Sequence, residues 1–249
     1  MLRDKSLQRH CLAEAGVDMV TSVVVGDRDG AAAALRNIGA PAFIKPIDGV
    51  GSAGCARLDT LGDFSRLFAE VDLCGLGQAR FVVEELLEGL CPYPSFADYV
   101  SVETISAGGD RAHVGLTGRI RGPRGFREGG YVFPAALDST RRGALLNLVD
   151  CELAALGVQD GVTHAEVKLT SPEPHILEVN GRMDGYIGDL LLRAAGFDMV
   201  KAALVASALG SLPRPIREAG VPDVAFQWFL SSPEGVWRLD GLQGCEAAL

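Results

Sequence analysis

Two carboxylates and one amide stand close together late in the chain: Glu166 in the run 161–169, and Glu178 with Asn180 in the run 175–180. Both runs are apolar and rich in β-branched residues. They read as paired strands joined by a turn over 170–174 that contains two prolines. Side chains two apart in a strand share a face, so Glu178 and Asn180 point the same way, and Glu166 on the neighbouring strand faces them. Oxygen donors gathered like this repel one another unless a cation sits between them. A hard oxygen set with open positions suits Mg²⁺, with Mn²⁺ as the alternative ion. A solvated sheet face also carries acids, but Glu178 lies between Leu177 and Val179, where a carboxylate without a partner is costly.

A second group precedes it. Lys45 ends the apolar run 42–46 and is followed by the glycine-rich stretch 48–54, which contains Gly51 and Ser52. Glycine lets backbone N–H groups approach phosphate oxygens, and the lysine adds a positive charge. The stretch lacks the Gly-Lys-Ser/Thr ending of a P-loop, and a plain turn between strands has the same composition. Arg182, two residues beyond Asn180, has the fixed fork that holds a carboxylate or a phosphoryl group, or pairs with the nearby Asp184.

These groups need elements to carry them. Residues 3–16 have an amphipathic helical pattern, with Leu7, Cys11, Leu12 and Ala15 at three- and four-residue spacing and Gly16 at the end. Residues 21–25, 42–46 and 81–85 read as strands, and 31–38 and 61–71 as helices, giving a small α+β lobe ending near residue 88. Beyond a Pro- and Gly-rich loop, 100–105 and 112–119 read as a hairpin turning at Gly108 and Gly109. Residues 121–130, rich in glycine and arginine, read as a mobile loop. Residues 141–156 read as a helix, 190–209 as an apolar helix with a weak break at Gly196, and 223–230 with 235–239 as a strand pair.

Composition narrows the field. The chain has 249 residues, 48% hydrophobic and 22% charged, enough for a sizeable core. A net charge of −9 without a basic stripe argues against a nucleic-acid partner. No apolar run reaches membrane-spanning length and no charged-then-apolar leader opens the chain, which points to the cytoplasm. The six cysteines show no metal-ligand spacing and read as reduced thiols.

Taken together, the segments resemble the ATP-grasp superfamily and, within it, carboxylate–amine ligases similar to the L-amino-acid (dipeptide) ligases. The matching segments are Asp4-Lys5 opening a helix, 43–46 (Phe-Ile-Lys-Pro) with its glycine turn, 83–89 (Val-Glu-Glu-Leu-Leu-Glu-Gly) and 99–105 (Tyr-Val-Ser-Val-Glu-Thr-Ile). To these are added 164–167 (His-Ala-Glu-Val) and 176–182 (Ile-Leu-Glu-Val-Asn-Gly-Arg).

The resemblance implies an α+β fold of two lobes gripping ATP, with residues 1–88 the small lobe, 89–215 the large lobe and 216–249 the start of a C-terminal lid. On this reading the N-terminal domain of the family is absent and the lid is truncated. By position, Lys5 and Lys45 contact ATP phosphates, and Gly51 and Ser52 close over them. The backbone of Glu85 and Leu87 holds the adenine with Glu84 beside it, and Asp98 is the nearest acid for the ribose. Glu166, Glu178 and Asn180 bind Mg²⁺, while Arg182 steadies the acyl phosphate or the substrate carboxylate. Glu128 aligns with an acidic substrate-site residue, and Tyr131 stands where those ligases often have histidine.

The implied reaction joins a carboxylate to an amine, with amino acids as the substrates, and the implied assembly is a homodimer or a complex with a partner supplying the missing domain. Rival readings are an ATP-grasp carboxylase or purine-pathway ligase, and a non-catalytic ATP-binding module.

Overall fold

Alternating apolar runs and turn residues fold into two antiparallel sheets in the computed structural model, which describes residues 2–49, 51–73, 80–91, 93–122, 126–214, 216 and 223–230. The elements are α1 (Lys5–Glu14), β1 (Ser22–Val25), α2 (Arg28–Ile38), β2 (Ala42–Pro46), β3 (Ala56–Leu58), α3 (Leu61–Leu73), β4 (Phe81–Glu85) and β5 (Phe96–Ala107). They continue with β6 (Asp110–Arg121), β7 (Glu128–Phe133), α4 (Ser139–Ala155), β8 (Gly161–Lys168), β9 (His175–Asn180), α5 (Ile187–Ala195), α6 (Met199–Leu209) and β10 (Ala225–Trp228).

The first sheet has the order β1-β4-β2-β3. Ala31 and Ala34 of α2 and Phe64 and Leu67 of α3 pack on Ile44, Leu58, Phe81 and Val83. Each large apolar side chain buried there contributes about 1.5–3 kcal/mol. The second sheet has the order β10-β7-β6-β5-β8-β9. Along β5 the side chains alternate: Val100 and Val102 enter the core under α4, where Leu145, Val149 and Leu153 meet them, while Ser101 and Glu103 face the other way. The β5–β6 hairpin turns at Gly108 and Gly109, both at positive φ, as a two-residue turn between right-twisted strands requires.

One irregularity shapes the site. Between Glu166↔Glu178 and Val167↔Ile176 the register of β8 and β9 slips, leaving Leu177 unpaired as a bulge. Ile176 and Val179 therefore both reach the core, while the Leu177 carbonyl is available to a side chain.

Helix α1 joins the two sheets. Its N-terminus is capped by Asp4, whose carboxylate accepts from the N–H groups of Ser6 and Leu7. Gln8 both donates to the Val179 carbonyl and accepts from the Val179 N–H, at 2.9 Å each, which fixes α1 to β9.

The weak break read at Gly196 within 190–209 is a full one: α5 ends at Gly196, a left-handed cap, and α6 restarts behind Asp198, whose side chain accepts from the Lys201 N–H. The structure differs from the sequence reading in two places. Of the stretch read as a loop over 121–130, Glu128–Gly130 belong to β7, because they pair with β6 and β10. Residues 225–228 do form a strand, but it pairs with β7; the expected partner at 235–239 lies outside the described residues. No helix among the described residues is long and apolar enough to cross a membrane.

Candidate functional site

Between the two sheets lies a cavity of about 580 Å³. Lys5, Lys45, Gly51, Ser52, Glu84, Glu85, Leu87, Asp98, Glu128, Glu166, Glu178 and Arg182 all line it. Asn180 does not line it but touches a residue that does.

The triad read from sequence is brought together by strand register. Glu166 sits directly opposite Glu178, and His164 opposite Asn180. Asn180 donates from Nδ2 to Glu178 Oε1 at 2.8 Å, and Lys5 Nζ lies 3.2 Å from Glu178 Oε2. Burial pushes the Glu178 carboxyl up, but Lys5 and the Asn180 amide outweigh it and hold the group below its ordinary value. Both carboxylates line the cavity, and a hard divalent ion fits this donor set, with Asn180 joining by presenting its amide oxygen instead. Among the described residues no three His, Cys, Asp or Glu side chains form a ready-made metal cage. An ion that takes several ligands from phosphate and water needs none.

Facing these acids are lysines set by the first sheet and α1. Lys45, 5% exposed, donates to the bulge carbonyl of Leu177 at 2.8 Å and pairs with Glu84 Oε2 at 3.0 Å. Burial lowers its pKa, while Glu84 pulls the other way. Lys5 donates to the Gly49 carbonyl at 2.7 Å, tying the glycine stretch to α1. Val50 of that stretch lies outside the described residues; Gly51 and Ser52 adopt positive φ, and Ser52 donates to the Phe126 carbonyl across the cavity.

Glu84 differs in setting from a group placed simply beside a base. Its two oxygens accept from Arg9 Nε at 2.7 Å and Nη2 at 3.1 Å as well as from Lys45. Burial alone would raise its pKa, but Lys45 and Arg9 prevail and hold it at about 2. Glu84 thus lines the cavity with its carboxylate already held by Arg9 and Lys45. Glu85 accepts from the Thr21 N–H and donates its own N–H to the Thr21 carbonyl. Asp98 pairs with Lys168 at 2.8 Å.

At the opposite end Glu128 is held by three donors. Arg119 Nε and the Tyr99 hydroxyl reach Oε1 at 2.7 and 2.9 Å, and the Tyr131 hydroxyl reaches Oε2 at 2.7 Å. Tyr131 is neutral here, since burial and the adjacent Glu128 push its pKa well up. Arg182 is half exposed, its Nη1 3.7 Å from Asp184 Oδ1 and donating to the Met183 carbonyl at 3.3 Å.

Arg9, Glu103, Arg119, His164 and Lys168 received no role from the sequence. His164 is the most informative: Nδ1 lies 2.6 Å from Glu103 Oε1, and Nε2 lies 3.3 Å from Glu166 Oε1 and 3.2 Å from Arg119 Nη2. Burial opposes its charge, but Glu103 outweighs burial and raises the pKa to about 10. The signal that could have found it is local: two residues before Glu166, it shares that residue's face.

No family model matches the chain. Its fold is the ATP-grasp fold, and in sequence it is similar to a ligase. It is 27% identical over 237 residues to alanine–anticapsin ligase of Bacillus subtilis (strain 168), covering 89% of this chain and 48% of that protein. It is also similar to the crystal structure of an L-amino acid ligase from Bacillus licheniformis, with a TM-score of 0.65, 21% identity and coverage of 82% and 47%. The biotin carboxylase domain of the Hydrogenobacter thermophilus 2-oxoglutarate carboxylase, solved with MgADP and bicarbonate, gives a TM-score of 0.73 at 17% identity, covering 90% and 49%. The chain spans about half the length of these relatives.

Proposed function

We propose that the chain is the nucleotide- and metal-binding core of an ATP-dependent carboxylate–amine ligase that forms an amide or peptide bond through an acyl phosphate. The observation that carries this reading is the meeting of Glu166 and Glu178 with Lys5 and Lys45 in one cavity. A triphosphate needs cations around its oxygens, and the carboxylates have a use only if an ion sits between them and those oxygens.

In this reading residues 1–88 and 89–215 are the two lobes, and 216–249 open a lid. Lys5 and Lys45 neutralise phosphate oxygens, the glycine stretch with Gly51 and Ser52 closes over them, and the strand end at Glu85 and Leu87 receives the adenine. Lys168 and Asp98 face the ribose. Glu166 and Glu178, with Asn180, would hold Mg²⁺, which draws charge off the β- and γ-phosphates. A substrate carboxylate oxygen attacks the γ-phosphorus and ADP leaves. The amine nitrogen then attacks the acyl carbon, phosphate departs, and the amine gives up a proton. Arg182 faces the developing charge with its fork, and Glu128 accepts from the substrate ammonium. Little covalent chemistry is asked of the protein beyond positioning and charge neutralisation.

Amino acids are the proposed substrates, since the similar ligases are an alanine–anticapsin ligase and an L-amino acid ligase, and cytoplasm is the proposed location. A carboxylase or purine-pathway ligase is the second reading, favoured by the high structural similarity to the biotin carboxylase domain. Phosphate release from ATP across panels of amino acids, with bicarbonate as a parallel arm, separates the two. Glu178→Ala should lower amine-stimulated phosphate release about a hundredfold or more while nucleotide binding persists. Full ATP-dependent ligation by that variant rejects the metal assignment, and ATP binding without amine-stimulated release favours a binding module.

A further inference from the structure

We infer that Arg119 is a positioning residue that ties the amine end of the cavity to its metal end, an inference that rests on the roles proposed above for Glu128 and Glu166. Arg119 lies on β6, is 1% exposed and is not among the residues lining the cavity. It acts through others. Its Nε donates to Glu128 Oε1 at 2.7 Å, and its Nη2 lies 3.2 Å from His164 Nε2, the nitrogen that faces Glu166 Oε1 at 3.3 Å.

The geometry makes this a link rather than two separate contacts. A guanidinium is planar and stiff, so Nε cannot move toward or away from Glu128 without moving Nη2 against His164. The ring of Tyr131 covers the guanidinium at 4.1 Å, and Tyr131 itself donates to Glu128, so the plane is confined from above. On the far side His164 is fixed through Nδ1 by Glu103, which in turn accepts from the Ser101 hydroxyl at 2.9 Å. With His164 pinned at the back, the movable member of the chain is Glu166, the cavity carboxylate.

A purely structural residue here would be expected to have every donor satisfied. Arg119 Nη1 and Glu103 Oε2 are instead both buried with no hydrogen-bond partner among the described residues. Burying such groups is costly, and apolar residues of similar volume pack as well or better at sites like this. When an ammonium group engages Glu128, the carboxylate is drawn toward the cavity, Arg119 follows, and the contact with His164 and Glu166 is re-set. Occupancy of the amine site thereby adjusts the carboxylate that faces the metal and the γ-phosphate.

The test is a double-substitution cycle on the full chain, read as kcat/KM for ATP-dependent phosphate release with the amino acid that stimulates it most. Glu128→Gln and His164→Gln each keep a hydrogen-bonding side chain. Because both act on Arg119, their losses should fall short of multiplying by about fivefold or more. In an Arg119→Lys background, which keeps the charge but not the rigid fork, the same losses should multiply to within about twofold. Arg119→Lys alone should raise the amino-acid KM and the Mg²⁺ concentration for half-maximal rate while the KM for ATP stays within about twofold.

Losses that multiply with Arg119 intact overturn the link, as does coupling that survives in Arg119→Lys. If Arg119→Lys fails to fold, the first cycle decides by itself. No phosphate release from the unsubstituted chain with any amino acid overturns the ligase reading and the link together, whereas release with multiplying losses overturns the link alone.

Discussion

Lys45 Nζ lies 3.0 Å from Glu84 Oε2, and the same carboxylate is gripped by Arg9 through two further bonds. The three charges are 36 or more residues apart in pairs that span two strands and a helix, and all are buried. Arg9 neutralises the part of Glu84 that Lys45 does not, which leaves Lys45 free to face both the carboxylate and the cavity.

Breaking this group by removing one partner strands a buried charge, so Arg9→Met should destabilise the protein by about 3–5 kcal/mol. Urea unfolding at pH 7 measures it, and a midpoint equal to that of the unsubstituted protein would contradict the assignment. Glu84 also sets an acid limit. Its folded-state pKa of about 2 is depressed below the ordinary 4.5, so its stabilisation is complete above about pH 4.5 and drains away as pH falls toward 2. Glu84→Gln should lack that part of the acid dependence.

His164 works in the opposite direction. Its pKa is raised from 6.5 to about 10 by Glu103, against burial. A group held charged by folding stabilises fully below its unfolded value, so this contribution is present below about pH 6.5 and is lost as pH climbs through 10. Thermal unfolding between pH 6 and 10, without divalent ions, should show a falling midpoint that His164→Gln flattens. An identical slope in both proteins rejects the prediction.

Gly130 concerns the edge of the second sheet. A Cβ there would lie 2.0 Å from the Gln227 carbonyl oxygen and 3.1 Å from Trp228 Cα, the backbone of the strand paired with it. Neither atom is the tip of a flexible side chain. Gly130→Ala should therefore detach β10, lower stability by about 1–3 kcal/mol and withdraw Phe229 from its edge contact with Tyr131 at 5.0 Å. Limited proteolysis should newly cut within 225–230; unchanged resistance there would show that the strand tolerates the methyl.

Much of the architecture was legible because local patterns dominate it. Apolar, β-branched runs marked β8 and β9, and Gly108-Gly109 marked the turn between β5 and β6, since a two-residue turn there needs positive φ. The pairing of Glu178 with Asn180 on one face followed from strand geometry alone. What misled was equally physical. Glu128, Gly129 and Gly130 have loop composition, and they enter a strand because β6 and β10 supply ladder partners on both sides. By contrast, Gly196 was legible as a break in 190–209, and the left-handed cap there divides the stretch completely.

By itself the sequence determined which residue types could bind a triphosphate and an ion, and on which strand faces they would sit, because side-chain direction along a strand depends only on spacing. Tertiary structure decided who neutralises whom. Arg9 on Glu84, Arg119 on Glu128, Lys5 on Glu178 and Glu103 on His164 join residues 61 to 173 positions apart or bridge a bulged hairpin, and electrostatics at such sites depends on distance and burial, which spacing along the chain does not specify.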